Sequence, residues 1–364
     1  MFEPYPWRRS WRGAVSGKAR SCALLFCLIA TGLLAQSPPA IEKDPIRVDD
    51  KTEVVIKGAL RWLAGKQQPN GAWGSSSEEK QHPAAICGYT LMAFLAGGHL
   101  PGEGEFGKNV SLGIQYLLDS MDGQGLYGNK NDGQYMYGHG VATIALSELY
   151  GASKLASMRP KLERAIRIII AAQNREGGWR YRPISYDADV SVTVLQVVAL
   201  RSAKNAGLDV PQKTIDDAVQ YVKRCFISSS GGFGYQPGQS AGFARTAAAI
   251  YSLQVCGLYE DPMVKKGSEY LMKEYKDGHM EWFTYGNFYA APAQYMQGGD
   301  TWKKWYAKLH QTLMTRVTTE GDKSYWSPEK INLDGGRAVG AVYCTSVYAM
   351  ILAMPYHYIP LYQR

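Results

Sequence analysis

Residues 177–193 read Gly-Gly-Trp-Arg-Tyr-Arg-Pro-Ile-Ser-Tyr-Asp-Ala-Asp-Val-Ser-Val-Thr. A glycine pair and a tryptophan lead into a polar loop, and two acids stand at the head of an apolar run. The front half recurs along the chain. An aromatic residue next to or near glycine appears at Trp73, Tyr127, Trp179, Phe233, Trp282 and, more weakly, Trp326, at spacings of 54, 52, 54, 49 and 44 residues. Self-similarity at a period of this size marks a repeat architecture in which each unit is one supersecondary structure.

Between anchors the pattern is constant. A segment rich in small and apolar residues starts about ten positions after the anchor, a loop follows, and a more charged segment leads to the next anchor. In the third unit residues 190–200 are apolar nearly all round, whereas residues 214–224 carry their apolar side chains on one stripe. The first pattern belongs inside a protein and the second at its surface, so each unit reads as a helical hairpin. Gly207 and Pro211 supply the stop and start between the two helices. Valine- and isoleucine-rich runs such as 166–170 could be strands taken singly, but their length and register favour helix.

Six hairpins, beginning with the outer helix at 52–66, make twelve helices. Each inner helix needs neighbours to cover it, which is met by an open solenoid or a closed ring. No distinctive polar capping repeat is present, and a closed ring needs none.

The anchors, the lead-ins Gln67-Gln-Pro-Asn-Gly and Gln173-Asn-Arg-Glu-Gly-Gly-Trp179, and Gly-Gly-Phe233-Gly-Tyr resemble prenyltransferase and squalene-oxidase repeats. Such repeats occur in squalene-hopene and oxidosqualene cyclases and in protein prenyltransferase β subunits. The resemblance covers about residues 50–360 and implies an all-α fold, an α/α toroid (α6/α6 barrel) of six helical hairpins. It also implies a central cavity at one end of the inner ring that takes an apolar, isoprenoid-like ligand or a partner segment. Within this frame the anchors Trp73, Trp179, Phe233, Trp282 and Trp326 are structural locks.

The repeat register predicts which residues share the mouth of the inner ring: Tyr137, His139, Asp187, Asp189 and Arg245, with Asn287, Tyr295, Arg337 and Tyr343 nearby. Asp189 has two readings. A carboxylate at a helix start accepts orphan backbone N–H groups as a cap, with Arg245 of the next repeat as its ion-pair partner. Alternatively Asp189 is a proton donor, with Asp187 and His139 tuning it. Class II terpene cyclases use an aspartic acid in an Asp-x-Asp-Asp motif for this. Here Asp187-Ala-Asp189-Val190 keeps the first two acids and puts valine in place of the third. The same segment also resembles a non-acid repeat of those enzymes, and the cyclases build their cavity between two toroid-like domains, whereas this chain has room for one. The motif therefore leaves both a binding role and acid catalysis open, and a further enzyme class is a polysaccharide hydrolase or lyase on an α/α barrel, which works with carboxylates in aromatic-walled grooves.

Several functions are excluded. A zinc-dependent protein prenyltransferase would carry an Asp-x-Cys pair and a later histidine; no such pair occurs, and Gly340 stands where the histidine would be. No metal and no cofactor is expected. Phosphate loops, nucleophile elbows and thioester motifs are missing.

Residues 1–35 read as a secretory signal peptide: five cations precede the apolar run 23–35, which is too short to span a bilayer. Arg8-Arg9 leaves both Sec and Tat routes open. Residues 36–50 form a flexible mature N-terminus, and 51–364 form one toroid domain with a C-terminal strap. Removing the signal lowers the net charge from +8 to about +4, too little for nucleic-acid binding. The mature protein is expected to be periplasmic or extracellular, without a stable membrane anchor and with room for a second subunit. Its cysteines, Cys87, Cys225, Cys256 and Cys344, read as buried thiols, although export permits disulfides.

Overall fold

The computed structural model describes residues 46–128, 135–277, 280, 282–331 and 339–362. Residues 1–35, expected as a signal peptide, most of 36–50 and Arg337 lie outside them. Six helices form the outer layer: α1 (Asp50–Gly65), α4 (Gly107–Ser120), α6 (Met158–Ala172), α8 (Gln212–Arg224), α10 (Pro262–Glu274) and α12 (Gly299–Arg316). Six form the inner layer: α3 (Pro83–Ala96), α5 (Tyr135–Ser153), α7 (Val190–Asn205), α9 (Phe243–Val255), α11 (Phe283–Gln297) and α14 (Ala341–Ala353). Short helices α2 (Ser77–Gln81) and α13 (Pro328–Ile331) precede the first and last inner helices. Each inner helix packs on the next, and α14 packs back on α3, so the ring is closed. The fold is the α/α toroid. Among the described residues no helix is long and apolar enough to cross a membrane.

Burial follows the patterns from which the layers were expected. Of α7, Val192, Val194, Leu195, Val198 and Leu200 are all buried, whereas α8 buries only Thr214, Ile215, Ala218, Tyr221 and Val222. An inner helix has neighbours on every side. An outer one has water on half of its surface, and its sequence is amphipathic accordingly.

The anchors work as hydrogen-bonded locks. The Trp179 indole donates to the Ile169 carbonyl of the preceding outer helix at 2.7 Å, and its backbone N–H donates to Thr193 Oγ1 of its own inner helix at 3.0 Å. Gln173 Nε2 donates to Gly177 O at 2.9 Å and to Thr214 O of the next outer helix at 2.8 Å. One loop thus ties three helices. The first unit repeats this through Trp73 to Leu63 O (2.8 Å) and Gln67 to Gly71 O and Asn109 O (both 3.0 Å). Phe233 and Trp326 donate their backbone N–H groups to Thr246 and Thr345 in the same way.

Trp282 is a correction to this scheme. It is 43% exposed, sits at φ 63, and immediately precedes α11, with none of the ten-residue spacer of the other units. The register of the fifth unit is therefore displaced: Pro292, ten positions after Trp282, where the repeat would start its inner helix, lies inside α11.

Glu79, fully buried in α2, bridges the seam where the ring closes. Its Oε2 accepts from Ser75 N (2.7 Å), Ser75 Oγ (2.8 Å) and Ser76 N (3.2 Å), while Oε1 accepts from Tyr343 N (2.9 Å) in the first turn of α14. One carboxylate caps the start of the last inner helix from the first repeat, where the helix dipole favours negative charge.

At the opposite end residues 354–362 fold over the ring as two 3-10 turns, burying Ile359, Leu361 and Tyr362. Beneath them Glu148 of α5 is buried. It accepts from Ser202 Oγ and from the Leu361 N–H (3.2 Å). Burial pushes its carboxyl up to about 7, against hydrogen bonds that pull it down. Between pH 4.5 and about 7 the folded form holds a proton that the unfolded form has lost, so this group's contribution to stability is full below that window and falls as pH rises through it. Glu148→Gln can keep both hydrogen bonds, accepting from Leu361 and donating to Ser202. It is expected to stabilise the protein by up to about 3 kcal/mol near pH 8 and by little near pH 4.5, as measured by urea unfolding at both pH values.

Among the described residues the four cysteines are free thiols, with Cys256 half-buried and the others buried.

Candidate functional site at the mouth of the inner ring

Asp189 is the N-cap of α7. Its backbone is extended (φ −141, ψ 160), its N–H donates to Trp179 O (3.0 Å), and its Oδ1 accepts from Val192 N–H (3.0 Å). The capping role is therefore present, and it uses one oxygen. Oδ2, in a side chain that is 0% exposed, has Arg180 Nη1 as its ionic partner at 3.5 Å, and the Tyr235 hydroxyl also lies within hydrogen-bonding reach of the carboxylate. Asp187 Oδ2 lies 3.4 Å from the same nitrogen, while its Oδ1 accepts from Ala188 N and Gln236 Nε2. Two carboxylates thus share one guanidinium.

Arg180 is held from its faces as well. Its guanidinium lies 4.6 Å from the Tyr181 ring and 5.5 Å from the Tyr235 ring, whose hydroxyls bond to each other. Cation–π contacts of this kind gain strength as water is excluded. Tyr137, in the first turn of α5, stacks on Tyr181 at 6.0 Å. Burial pushes the Asp189 carboxyl up to about 6, opposed by the Val192 hydrogen bond and by Arg180. The tyrosine hydroxyls are also pushed up by burial, so Tyr137 and Tyr235 stay neutral donors.

Below the acid pair, aromatic rings fill the ring axis. Tyr285 of α11 donates to Ser191 O (3.4 Å) and contacts Tyr289 edge-on at 5.1 Å. Tyr89 of α3 contacts Phe288 at 4.9 Å and Tyr343 of α14 at 5.0 Å. The axis, expected as an open cavity, is packed with these rings, and what faces outward is the mouth above them. One described cavity, of about 10 Å³, lies at the other end beside Tyr295 and His357. Another, a groove of about 520 Å³, runs outside the ring past Arg175, Lys213 and Arg224.

The expected site residues divide accordingly. Asp187, Asp189, Tyr137 and Tyr343 come to the mouth end. His139 does not: its Nδ1 accepts from Tyr127 N–H (3.2 Å) and its Nε2 bonds to Ala165 O (3.1 Å), so it takes the place that threonine holds in the other locks. Burial lowers its pKa to about 4, and it is neutral. Arg245 folds back over Gly242 toward Tyr270 of α10, and the partner of Asp189 is Arg180 of its own repeat. Asn287 donates to Phe283 O within α11 (3.0 Å). Tyr295 bonds to His357 at the far end (2.6 Å), a consequence of the displaced register in the fifth unit. Arg337 lies outside the described residues.

Arg180, Tyr181, Tyr235 and Tyr285 were not anticipated. A signal existed for two of them: Tyr181 and Tyr235 each stand two positions after a lock aromatic. Among the described residues no group of three or more His, Cys, Asp or Glu is placed to hold a metal ion.

Residues 14–284 match the family described as the prenyltransferase alpha-alpha toroid domain. No curated protein matches the chain. Solved structures share the fold at low identity. An inactive variant of the α-1,6-mannanase of Salegentibacter sp. in complex with α-1,6-mannotriose has a TM-score of 0.64 at 9% identity, covering 85% of this chain and 100% of that one. Cellobiose 2-epimerase from Bacillus thermoamylovorans has 0.61 at 13%, covering 84% and 97%. A type II terpene cyclase from Scytonema in complex with geranylgeranyl dihydroxybenzoate has 0.58 at 12%, covering 85% and 98%. At these identities the likeness is one of fold alone.

Proposed function

The chain belongs to the prenyltransferase alpha-alpha toroid domain family, and from that premise we propose that it is an exported toroid whose mouth binds an apolar or partly apolar, isoprenoid-like ligand. The observation that carries this is a floor of neutral tyrosines where six inner helices begin, beneath a buried acid that Arg180 holds. Aromatic faces take up apolar chains, while the hydroxyls of Tyr137 and Tyr285 and the Asp187–Arg180–Asp189 cluster orient one polar group. The ligand bound by the Scytonema cyclase, an isoprenoid chain on a hydroxylated aromatic acid, is of this chemical type.

Acid catalysis by Asp189 is the second reading, favoured by a carboxyl raised to about 6 inside an aromatic site. Arg180 works against it by stabilising the ionised form. Asp189→Asn separates the two. Where Asp189 only helps to orient a polar group of the ligand, affinity is expected to fall by about tenfold, whereas an acid catalyst loses nearly all turnover and keeps binding. Mass spectrometry of co-purified lipid, and of products after incubation with squalene-type and polysaccharide substrates, reads both. No product and no bound lipid would sink the isoprenoid reading, and cleaved polysaccharide would replace it. Export is checked by N-terminal sequencing of the secreted protein, with Gln36 expected first.

A further inference from the structure

The end of the ring away from the mouth is covered by the strap, residues 354–362, Met-Pro-Tyr-His-Tyr-Ile-Pro-Leu-Tyr. Its two 3-10 turns, Met354–Tyr356 and Pro360–Tyr362, have poorer hydrogen-bond geometry than helix, and between them His357 stands at φ 62, in the left-handed region that favours glycine. Packing under the strap is incomplete: a cavity of about 10 Å³ remains where Ile359 and Tyr362 meet Ala96, Tyr295 and Met350. The strap is fastened to the ring by the Leu361 N–H, which donates to Glu148 Oε2 (3.2 Å), and by His357 Nδ1, which bonds to the Tyr295 hydroxyl (2.6 Å). Glu148 itself has neutral company. Ser202 Oγ of α7 donates to its other oxygen, and the ionisable groups facing it are Tyr251 of α9 and Tyr362 of the strap, both kept neutral by burial. The cations at this end of α5 and α7 turn elsewhere: Lys154 donates to Ala206 O (3.0 Å), Arg201 to Asn205 Oδ1 (3.4 Å) and Lys204 to Gln212 Oε1 (2.6 Å). A buried carboxylate without a cation is costly and gains most by reaching water. Of its covers, α5, α7 and α9 are packed into the closed ring, and the strap is the one that can give way.

We propose that residues 354–362 form a lid that shuts this end of the ring while Glu148 carries its proton and lifts when Glu148 ionises. Lifting breaks the Leu361 bond and lets water reach the carboxylate. It also uncovers Tyr251, which Tyr362 meets edge-on at 6.3 Å and which lies 6.1 Å from Tyr289 in the ring axis. The aromatic column beneath the mouth thereby gains a second approach, from the opposite end. The sign follows from burial, which raises the carboxyl of the closed form to about 7 from an ordinary 4.5. The closed lid is fully favoured below 4.5, loses about tenfold per pH unit as pH rises to about 7, and changes no further above that. The lid needs no ligand at the mouth, so it stands apart from the ligand reading.

The test is hydrogen exchange of the full chain, read by mass spectrometry from about pH 4.5 to about pH 8 and corrected for the intrinsic exchange rate at each pH. Protection of the strap amides is expected to fall by about a hundredfold across this range, while amides of α7 and α9 stay protected. Glu148→Gln, which can still accept from Leu361, should hold the strap equally at both ends of the range. Ser202→Ala removes a bond that favours the ionised form and should carry the upper end of the transition to higher pH. The proposal is overturned if strap protection in the wild type is the same throughout, if Glu148→Gln shows the same fall, or if the transition does not move in Ser202→Ala. It is overturned equally if α7 and α9 lose protection in step with the strap, since the acid would then act on the whole ring and not on a lid.

Discussion

Glu79→Ala is expected to lower the free energy of unfolding by about 3–5 kcal/mol. Four hydrogen bonds converge on this carboxylate, one from the N–H of Tyr343 in the last repeat. Ser75 is exposed and its N–H can turn to water, but the Tyr343 N–H is buried at the start of α14 and keeps no acceptor once the carboxylate is gone. The loss falls on the seam between first and last units. Urea unfolding should therefore show the lower midpoint, and hydrogen exchange should rise first in α14 and α3. Glu79→Gln, which keeps one acceptor, should fall between alanine and the wild type. An alanine variant within about 0.5 kcal/mol of the wild type would show that the ring closes without this clasp.

Gly177→Ala is expected to cost a comparable amount, about 3–5 kcal/mol, although it removes no interaction. Gly177 has φ +93, and a Cβ there would sit far inside contact distance of the Asp217 carbonyl oxygen on α8. The obstacle is backbone, which cannot rotate away as a side chain can. Relief requires the loop to withdraw from α8, which pulls Gln173 from Thr214. Gly71→Ala should behave alike, since its Cβ would meet the Leu112 carbonyl of α4 in the same way. Gly207→Ala is the control: its φ is +91 but nothing lies within contact distance, so only the conformational cost of roughly 1 kcal/mol remains. Equal losses at Gly177 and Gly207 would mean that close approach contributes nothing.

Much of the architecture was legible in the one-dimensional pattern, because a repeat states its own structure several times. Gln173-Asn-Arg-Glu-Gly-Gly-Trp179 marks a lock since glycine, glutamine and an aromatic are each needed there for a separate reason: close approach, a bridge to the next helix, and a plug with an N–H. Where one unit departs from the period, the reading failed. Trp282 has the look of an anchor, but α11 starts directly after it, and Tyr295, counted from it, lies at the wrong end of the barrel. His139 failed differently. Its position was read correctly, but whether a side chain on an inner helix turns to the axis or to the outer layer depends on helix rotation, and a histidine serves in either place.

For the candidate site the sequence by itself determined that Asp187 and Asp189 are the non-repeating feature of the ring and that Asp189 stands at a helix start. Helix starts and repeat registers are local properties, set by a few neighbouring residues. Only the tertiary structure decided that Arg180, rather than Arg245, neutralises the pair, that Tyr181 and Tyr235 clamp that arginine, and that tyrosines from α3, α11 and α14 close the axis. These are contacts between groups on different elements, and long side chains such as arginine and tyrosine have more than one partner within reach. Which partner is met depends on how the inner helices are rotated and staggered as they pack, and packing is a property of the whole ring.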